Sequence, residues 1–255
     1  MEFDLEKTAE SGQVFRAYKQ EGSKWMFMSL DKRIILDAKG DYVAKIRKDP
    51  FWTDYFDLNK DYSAVRAEAV KNKDDFMIAA CKAGEGIRML KQDPWEMLIS
   101  FIISQRKSIP AIRTSIERLC ENFGERKEGF YAFPTPKALC EADTAVLAAC
   151  GLGYRLEYIR AAAETVYHGS LDLEQMRQMS DEELLSALKK VKGVGDKVAN
   201  CIMLFAYGRT ARVPVDIWIK KLIEEDYGGE DPFRRYGENA GIMQQYAFYY
   251  KRNII

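Results

Sequence analysis

Lys197 stands at a position where its side-chain amine could act as a nucleophile. It lies in the segment LKKVKGVGDKVANCI, just after a Gly-Val-Gly turn, in the first turn of a helix predicted to begin near Asp196. The positive end of the helix dipole and partial burial would both favour the neutral amine, the form that attacks carbon. Cys201 lies four residues further along the same helix face, so the two side chains are expected to share a pocket wall. A solvated surface lysine and a phosphate contact are the alternative interpretations of Lys197.

A carboxylate follows in the segment RVPVDIWIKKLIEED. Pro214 keeps Val213 extended, and Asp216 precedes an apolar helix, which is an N-cap position. Most aspartates at such positions are only caps, and this interpretation stays open here. A capping carboxylate held close to an amine can also stabilise a cation that develops on a substrate.

The turn between Lys197 and the preceding helix has the features of an anion site. Ser180 and Glu183 form an S-x-x-E capping box that starts a helix ending at Gly193. Gly193, Val194 and Gly195 would form a tight turn that leaves the first N–H groups of the next helix free for a phosphate. Mobile positive charge comes from three nearby lysines, Lys189, Lys190 and Lys192. The segment predicts DNA contact without sequence readout, the alternative being an ordinary helical hairpin with a solvated lysine face.

Strands and helices must position these residues. A strand pattern occupies the first 60 or so residues. The runs QVFRAY, KWMFMSL and RIILDA are short and rich in aromatic or β-branched residues, and turn signals separate them. We therefore predict an α+β fold, in which a small N-terminal antiparallel sheet domain joins an all-helical body. The predicted domains are 1–88, with a flanking helix, and 89–255. The second domain would hold the helix-hairpin-helix at 184–206 and a catalytic loop at 209–218.

Helical patterns dominate from Ser63 onward. The run SAVRAEAVKNKDDFMIAACKAG has helical spacing and stops at Gly84. The run QDPWEMLISFIISQ has Asp93 as N-cap and Pro94 at its first position, and it is apolar nearly all round, which predicts a central core helix. Further helices are predicted for IPAIRTSIERLCENFG, FPTPKALCEA, DTAVLAAC and LEYIRAAAETVYHG.

Composition excludes several classes of protein. Lys+Arg and Asp+Glu both number 39, so a polyanion site must come from locally clustered charge. The acidic N-terminus is unlike a signal peptide, and no apolar run approaches the roughly 20 residues of a membrane span. We therefore expect a cytoplasmic protein that does not bind membranes. The five cysteines are widely spaced without a C-x-x-C pair, and His168 is the one histidine, so neither a metal centre nor a cofactor is predicted.

The segment GVGDKVANCI followed by VPVDIW resembles the helix-hairpin-helix DNA glycosylases. More narrowly, the chain is similar to the 8-oxoguanine DNA glycosylases of the eukaryotic type, a form that also occurs in some bacteria. The resemblance covers most of the chain. It rests on motifs in the family's order: SGQVFR, YFDLNKDY, QDPWEMLISFIISQ, IERLCENFG, GLGYR and, near the C-terminus, Ala240-Gly241, Gln244 and Phe248.

The resemblance implies a role for each matched residue. Lys197 would attack C1′ of the damaged nucleotide to form a Schiff base, and Asp216 would stabilise the positive sugar. In base recognition, the carbonyl of Gly12 would accept the N7 hydrogen that distinguishes 8-oxoguanine from guanine, and Gln244 would bond the Watson–Crick edge. Phe248 and Cys201 would contact the two faces of the flipped base. The implied contacts with the DNA are Tyr154, Arg155, Arg106, Lys192 and the hairpin residues Gly193, Val194 and Gly195.

The activity implied is base excision followed by nicking of the abasic strand through β-elimination. The expected partner is double-stranded DNA containing 8-oxoguanine, and the expected state is a monomer. No metal is implied beyond a monovalent cation that hairpin carbonyls hold in relatives.

The chain departs from the family pattern at four places. Ala17 replaces a usual tryptophan, residues 105–108 replace an asparagine-rich turn, and Trp218 replaces a histidine that contacts phosphate. Ala111 stands where the family carries an arginine that reads the orphaned cytosine. We predict relaxed discrimination of the opposite base, because a bidentate contact of that kind contributes about 1–3 kcal/mol.

The sequence is compatible with three other interpretations. An alkylbase glycosylase of the same fold would generally use the aspartate without a catalytic lysine, so Lys197 argues against it. A non-enzymatic DNA clamp would use the hairpin alone. A helical scaffold without any nucleic-acid role would fit the neutral net charge but leaves the ordered motifs unexplained.

Overall fold

A computed structural model describes residues 2–253 and confirms the predicted α+β fold. The N-terminal part contains a three-stranded antiparallel sheet, in which β1 (Ala17–Lys19) pairs with β2 (Lys24–Ser29) and β2 pairs with β3 (Lys32–Asp37). Trp25 and Leu36 lie opposite each other on β2 and β3, and both are buried. One face of the sheet therefore covers an apolar core, as its alternating pattern predicts.

The first 60 residues contain more helix than the sequence predicted. The run QVFRAY contributes only its last residues to β1, and helices flank the sheet: α1 (Leu5–Glu10), α2 (Tyr42–Arg47) and α3 (Pro50–Tyr55). Each helix begins after an aspartate whose carboxylate accepts a backbone N–H of the first turn. The reading of this region as mainly strand was wrong because its aromatic residues, typical of strands, here fill the core from helices.

The helical pattern from Ser63 to Gly84 is two helices, α4 (Tyr62–Lys71) and α5 (Asp75–Ala83). Between them Lys73 has a φ of 52°, a left-handed conformation that ends the first helix. Asp74 then caps the second helix by accepting the N–H of Met77. Helical spacing continues across this break, so periodicity alone did not reveal it.

The predicted central helix is α6 (Pro94–Ser104), which starts at Pro94 with Asp93 as its N-cap and is buried from Pro94 to Ile103. The next helix, α7 (Ile109–Phe123), ends at Gly124 as predicted. It is followed by a two-stranded hairpin and two short helices: β4 (Arg126–Lys127), β5 (Phe130–Tyr131), α8 (Pro136–Cys140) and α9 (Thr144–Ala149).

The remaining helices are α10 (Leu156–Tyr167), α11 (Asp181–Lys189), α12 (Asp196–Phe205), α13 (Ile217–Asp226) and α14 (Ala240–Asn253). Short 3₁₀ turns lie at Gly153–Arg155, Gln175–Gln178 and Arg234–Asn239. The predicted capping box of α11 is confirmed, because Ser180 and Glu183 make both reciprocal side-chain to backbone bonds. The hairpin between α11 and α12 then places Lys197 in the first turn of α12.

Buried apolar side chains form two clusters. The smaller lies under the sheet, and the larger fills the helical body and includes side chains of α4 and α5. Arg16 joins the two parts from a buried position, because it pairs with Glu96 of α6 at 3.5 Å and donates to the carbonyl of Tyr131 at 2.6 Å. The division into domains 1–88 and 89–255 stays a prediction. Across residues 2–253, none of the helices combines the length and the apolar character that a membrane crossing requires.

Candidate functional site

Two cavities meet at Lys197 and Asp216, which line both of them. The larger is an open cleft of about 840 Å³ between α6, α7 and the start of α13. The smaller has a volume of about 50 Å³. Its wall includes every residue to which sequence analysis assigned catalysis or base recognition: Gly12, Lys197, Cys201, Asp216, Gln244 and Phe248. These six residues come from the N-terminal loop, α12, α13 and α14, so the fold gathers residues that lie far apart in sequence.

Lys197 is half-buried, and its Nζ lies 5.2 Å from the centre of the Phe101 ring. Cys201 lies beside it on the next turn, where burial raises the pKa of the Cys201 thiol while the neighbouring Lys197 opposes that rise. The thiol is therefore protonated and acts as an apolar wall. The amine therefore lies where the two cavities meet, beside the Phe101 ring, and is only partly shielded from water.

Asp216 is the N-cap of α13, as predicted. Its Oδ1 accepts the backbone N–H groups of Trp218 at 3.0 Å and Ile219 at 2.9 Å. Because one oxygen makes both capping bonds, the other remains available to the cavities that the side chain lines. Capping and lining the cleft are thus compatible functions of this one carboxylate.

Of the two hairpin glycines, only Gly193 adopts the positive φ for which glycine was predicted, since Gly195 has an extended backbone with a φ of −96°. Gly193 has a φ of 87°, and a Cβ there would overlap the ring of Tyr158, so only glycine fits. Gly195 is the exposed N-cap of α12, and Val194 is buried beneath the turn. The exposed Lys192 adds positive charge next to the free N–H groups at the start of α12.

Two contacts modify this picture of the hairpin. Lys189 pairs with Asp196 at 2.6 Å, so part of the lysine charge is neutralised locally. The carbonyl of Gly193 accepts a hydrogen bond from Nε2 of Gln105 at 3.1 Å. A monovalent cation at the hairpin carbonyls stays a prediction. Within residues 2–253, no group of three or more His, Cys, Asp or Glu side chains is placed to hold a metal ion.

The loop that carries Gly12 is held rigidly. Its neighbouring carbonyls each accept a side-chain N–H: Ala9 from Arg113, Glu10 from Arg252, Ser11 from Gln245 and Gln13 from Gln92. The side chain of Gln13 is buried and bonds the backbone of Arg88 and Leu90. Among residues 2–253, none donates a hydrogen bond to the carbonyl of Gly12. A fixed loop therefore presents one free acceptor beside the smaller cavity.

Gln244 and Phe248 project from α14 on the same face. Gln244 is 4% exposed, and its Oε1 is buried without a hydrogen-bond partner among residues 2–253. A buried amide oxygen of this kind is costly unless a ligand satisfies it. The Phe248 ring lies against Gly12, because a Cβ at Gly12 would come within 2.8 Å of its Cε1.

The mouth of the cleft is positively charged. Arg106 is exposed, lines the cleft and has a φ of 51°, which is unusual for arginine. Tyr154 is 50% exposed, but Arg155 is only 6% exposed and donates to the carbonyls of Gln105 and Leu152. Arg155 supports the turn between α6 and α7 in this conformation, and its contact with DNA stays a prediction.

Sequence analysis assigned no site role to several residues that line the cavities, among them Phe101, Arg113, Gln245 and Arg252. Phe101 was assigned to the core, and it does stack on Phe205, but its ring also forms the cavity floor below Lys197. A signal for Arg252 existed, because positions 244, 248 and 252 follow helical spacing and so share one face.

Family models cover most of the chain. A model described as 8-oxoguanine DNA glycosylase, N-terminal domain, matches residues 1–98. A second, described as HhH-GPD superfamily base excision DNA repair protein, matches residues 99–236. The HhH-GPD match contains the hairpin, Lys197 and Asp216.

Solved structures and curated relatives agree with these models. The fold is similar to that of MBOgg1 in complex with a low-affinity DNA ligand (TM-score 0.90, 34% identity, covering 99% of this chain and 93% of that one). It is also similar to the 8-oxoguanine glycosylase/lyase of Clostridium acetobutylicum in complex with double-stranded DNA (TM-score 0.88, 33% identity, covering 98% and 92%). A probable N-glycosylase/DNA lyase of Methanothermobacter thermautotrophicus is 29% identical in an alignment 203 positions long, which covers 67% of this chain and 65% of that protein. The chain thus spans less than two thirds of the length of the curated relatives that it matches. It belongs to the 8-oxoguanine DNA glycosylase family within the HhH-GPD superfamily of base excision DNA repair proteins.

Proposed function

We propose that this protein is a bifunctional 8-oxoguanine DNA glycosylase and AP lyase that acts on double-stranded DNA. One observation carries the proposal: Lys197, Asp216, Gly12 and Gln244 line a single small cavity and bring together an amine, a carboxylate, a backbone carbonyl and an amide oxygen, of which the carbonyl and the amide oxygen accept no hydrogen bond within residues 2–253. An amine beside a carboxylate suits attack on a sugar carbon, and the carbonyl and the amide suit recognition of a base. One chain supplies all of these residues, so we expect a monomer to be active.

Recognition requires the target nucleotide to leave the duplex, since C1′ is inaccessible inside the base stack. The hairpin and the basic mouth of the cleft would hold the DNA backbone during this step. A cavity of about 50 Å³ has room for little more than one or two water molecules, so a purine cannot enter it as it stands. We expect the half-buried ring of Phe248 to move from Gly12 and then to cover one face of the base, with Cys201 on the other.

Discrimination would depend on the N7 position of the base. 8-Oxoguanine carries a hydrogen on N7, and the free carbonyl of Gly12 can accept it. Guanine has a lone pair there, which would face the same carbonyl oxygen without a bond. An unpaired buried acceptor costs about 1–3 kcal/mol, so a single hydrogen atom supports substantial selectivity.

In the first chemical step, the neutral Lys197 amine attacks C1′, and the bond from C1′ to N9 breaks. The bonding electrons leave with the base, which gains a proton, and Asp216 stabilises the positive charge that develops on the sugar. Loss of a proton from nitrogen and opening of the sugar ring at O4′ give the Schiff base. Removal of a C2′ proton then expels the 3′ phosphate and nicks the strand, and water releases the lysine.

Borohydride trapping tests the covalent step. We expect the wild-type protein, incubated with an 8-oxoguanine duplex and sodium borohydride, to form a stable protein–DNA adduct. Lys197→Gln removes the nucleophile with little change in side-chain volume and should abolish both base release and trapping. Lys71→Gln is the matched control, because α4 contributes no residue to either cavity. Trapping that survives in Lys197→Gln would remove Lys197 from this role.

The same assay separates the alternative functions. Release of 3-methyladenine without trapping would identify an alkylbase glycosylase. Binding without base release from either substrate would leave a DNA clamp. In that case Lys197→Gln would only weaken binding by a similar factor for all sequences.

A further inference from the structure

Arg252, in the last turn of α14, has a guanidinium N–H that nothing in the described chain satisfies. Its Nη2 donates to the carbonyl of Glu10 at 2.7 Å, and its Nε bonds the side chain of Asn253 at 3.2 Å. Its Nη1 is buried and has no partner among residues 2–253. A buried unpaired donor on a charged group is costly, so its presence needs a reason.

The position of this N–H suggests the reason. A Cβ at Gly12 would lie 3.1 Å from Nη1 and 2.8 Å from Cε1 of Phe248. The guanidinium carbon is 5.3 Å from the centre of the Phe248 ring. Gly12, Phe248 and Arg252 therefore form one contact, and Arg252 also lines the larger cleft. When the ring moves to admit a base, Nη1 becomes free to face the base beside the Gly12 carbonyl.

The edge of the lesion complements this pair of groups. On 8-oxoguanine the N7–H donor is flanked by two carbonyl oxygens, O6 and O8. An acceptor and a charged donor side by side, as Gly12 and Arg252 provide, match N7–H together with one of those oxygens. The buried unpartnered oxygen of Gln244 lies on the same helix face, so the three groups would surround one base.

We propose that Arg252 is a further base-recognition residue, whose Nη1 donates to a carbonyl oxygen next to N7 of the flipped 8-oxoguanine. This inference rests on the proposed function. The contact requires the guanidinium to stay in place, and its bond from Nη2 to the Glu10 carbonyl holds it there. A lysine has all its donors on one nitrogen and lacks the rigid fork that places Nη2 on the Glu10 carbonyl and Nη1 beside Gly12.

Comparing two reactions of the same protein tests this inference. The rate of 8-oxoguanine release depends on a base contact, whereas cleavage of a duplex with a preformed abasic site involves no base. Arg252→Met keeps the apolar stem and removes every donor. We expect it to slow base release about tenfold or more, as loss of a charge-assisted hydrogen bond predicts, and to leave abasic cleavage within about twofold. Arg252→Lys should fall between Arg252→Met and the wild type in base release.

Lys251→Gln is the matched control. It removes one charge from the neighbouring position, where Lys251 pairs with Glu225 and Asp226 outside both cavities, and it should change neither rate. An equal loss of base release and abasic cleavage in Arg252→Met would overturn the inference, since it would show a structural or backbone role. Unchanged base release would overturn it as well, while leaving the proposed function intact. If the wild-type protein releases no 8-oxoguanine, the proposed function fails and the inference falls with it.

A binding measurement identifies the oxygen. In the catalytically inactive Lys197→Gln background, Arg252→Met is compared on duplexes that carry 8-oxoguanine or 8-oxoadenine. The latter keeps O8 and has an amino group in place of O6. A similar loss of affinity on both duplexes assigns the bond to O8, and a loss confined to 8-oxoguanine assigns it to O6. No loss of affinity on either duplex contradicts the contact.

Discussion

Ala111 lies in the first turn of α7, exposed, between Pro110 and Ile112, which both line the cleft. We expect the wild-type protein to excise 8-oxoguanine opposite all four bases at rates within about tenfold of one another, since alanine cannot hydrogen-bond a cytosine. Ala111→Arg should raise the preference for cytosine by about 5- to 150-fold, the equivalent of one bidentate contact. Single-turnover rates with each opposite base measure this ratio, and Ala145→Arg on the exposed face of α9 is the control. A strong cytosine preference in the wild-type protein would contradict the prediction.

Residue types and spacing predicted the N-cap function of Asp216 and the start of the helix that carries Lys197, because both depend on local backbone geometry. The resemblance supplied Gly12 and Gln244, which no local pattern identifies. Neither local sequence patterns nor the family resemblance could predict contacts that depend on tertiary structure. The resemblance assigned Arg155 to the DNA, and the structure shows its guanidinium folded inward, donating to the Gln105 carbonyl.

At the scale of elements, prediction succeeded where a cap agrees with the apolar pattern that follows it, as in the continuously apolar α6 and the amphipathic α11. It failed where the two signals conflict. Helical spacing runs through the break between α4 and α5, where the left-handed Lys73 and the cap Asp74 decide the structure. No element was predicted for PFWTDY, whose aromatic residues are common in strands, although Asp49 and Pro50 are start signals of the helix α3.

Asp74 does more than cap α5. Its buried carboxylate accepts the hydroxyl groups of Tyr227 at 2.7 Å and Tyr236 at 2.9 Å, which tie the segment between α13 and α14 to α5. Asp74→Ala removes the cap and leaves two hydroxyls without that acceptor, so we expect a loss of about 3 kcal/mol in the free energy of unfolding. The melting temperature should fall by roughly 6–12 °C.

Asp143→Ala is the control for the Asp74 prediction, because Asp143 is exposed and only caps α9. It should cost about 1 kcal/mol, the usual contribution of an N-cap. Equal losses in the two variants would show that the tyrosine bonds contribute nothing. Base release should also slow in Asp74→Ala, since α13 begins at Asp216 and α14 carries Gln244.

At the scale of the whole molecule, equal numbers of acidic and basic residues, 39 each, mean that DNA affinity must come from a few placed contacts rather than from a general field. The logarithm of the binding constant falls with the logarithm of salt concentration by about 0.9 for each phosphate contacted. Lys192→Gln should therefore reduce the slope of this salt dependence by about 1 and weaken binding to damaged and undamaged duplexes by a similar factor. Lys71→Gln makes the same change in net charge at an exposed position of α4, away from both cavities, and should leave the slope unchanged. If both variants reduce the slope equally, net charge rather than the hairpin governs binding, and the hairpin is not a phosphate site.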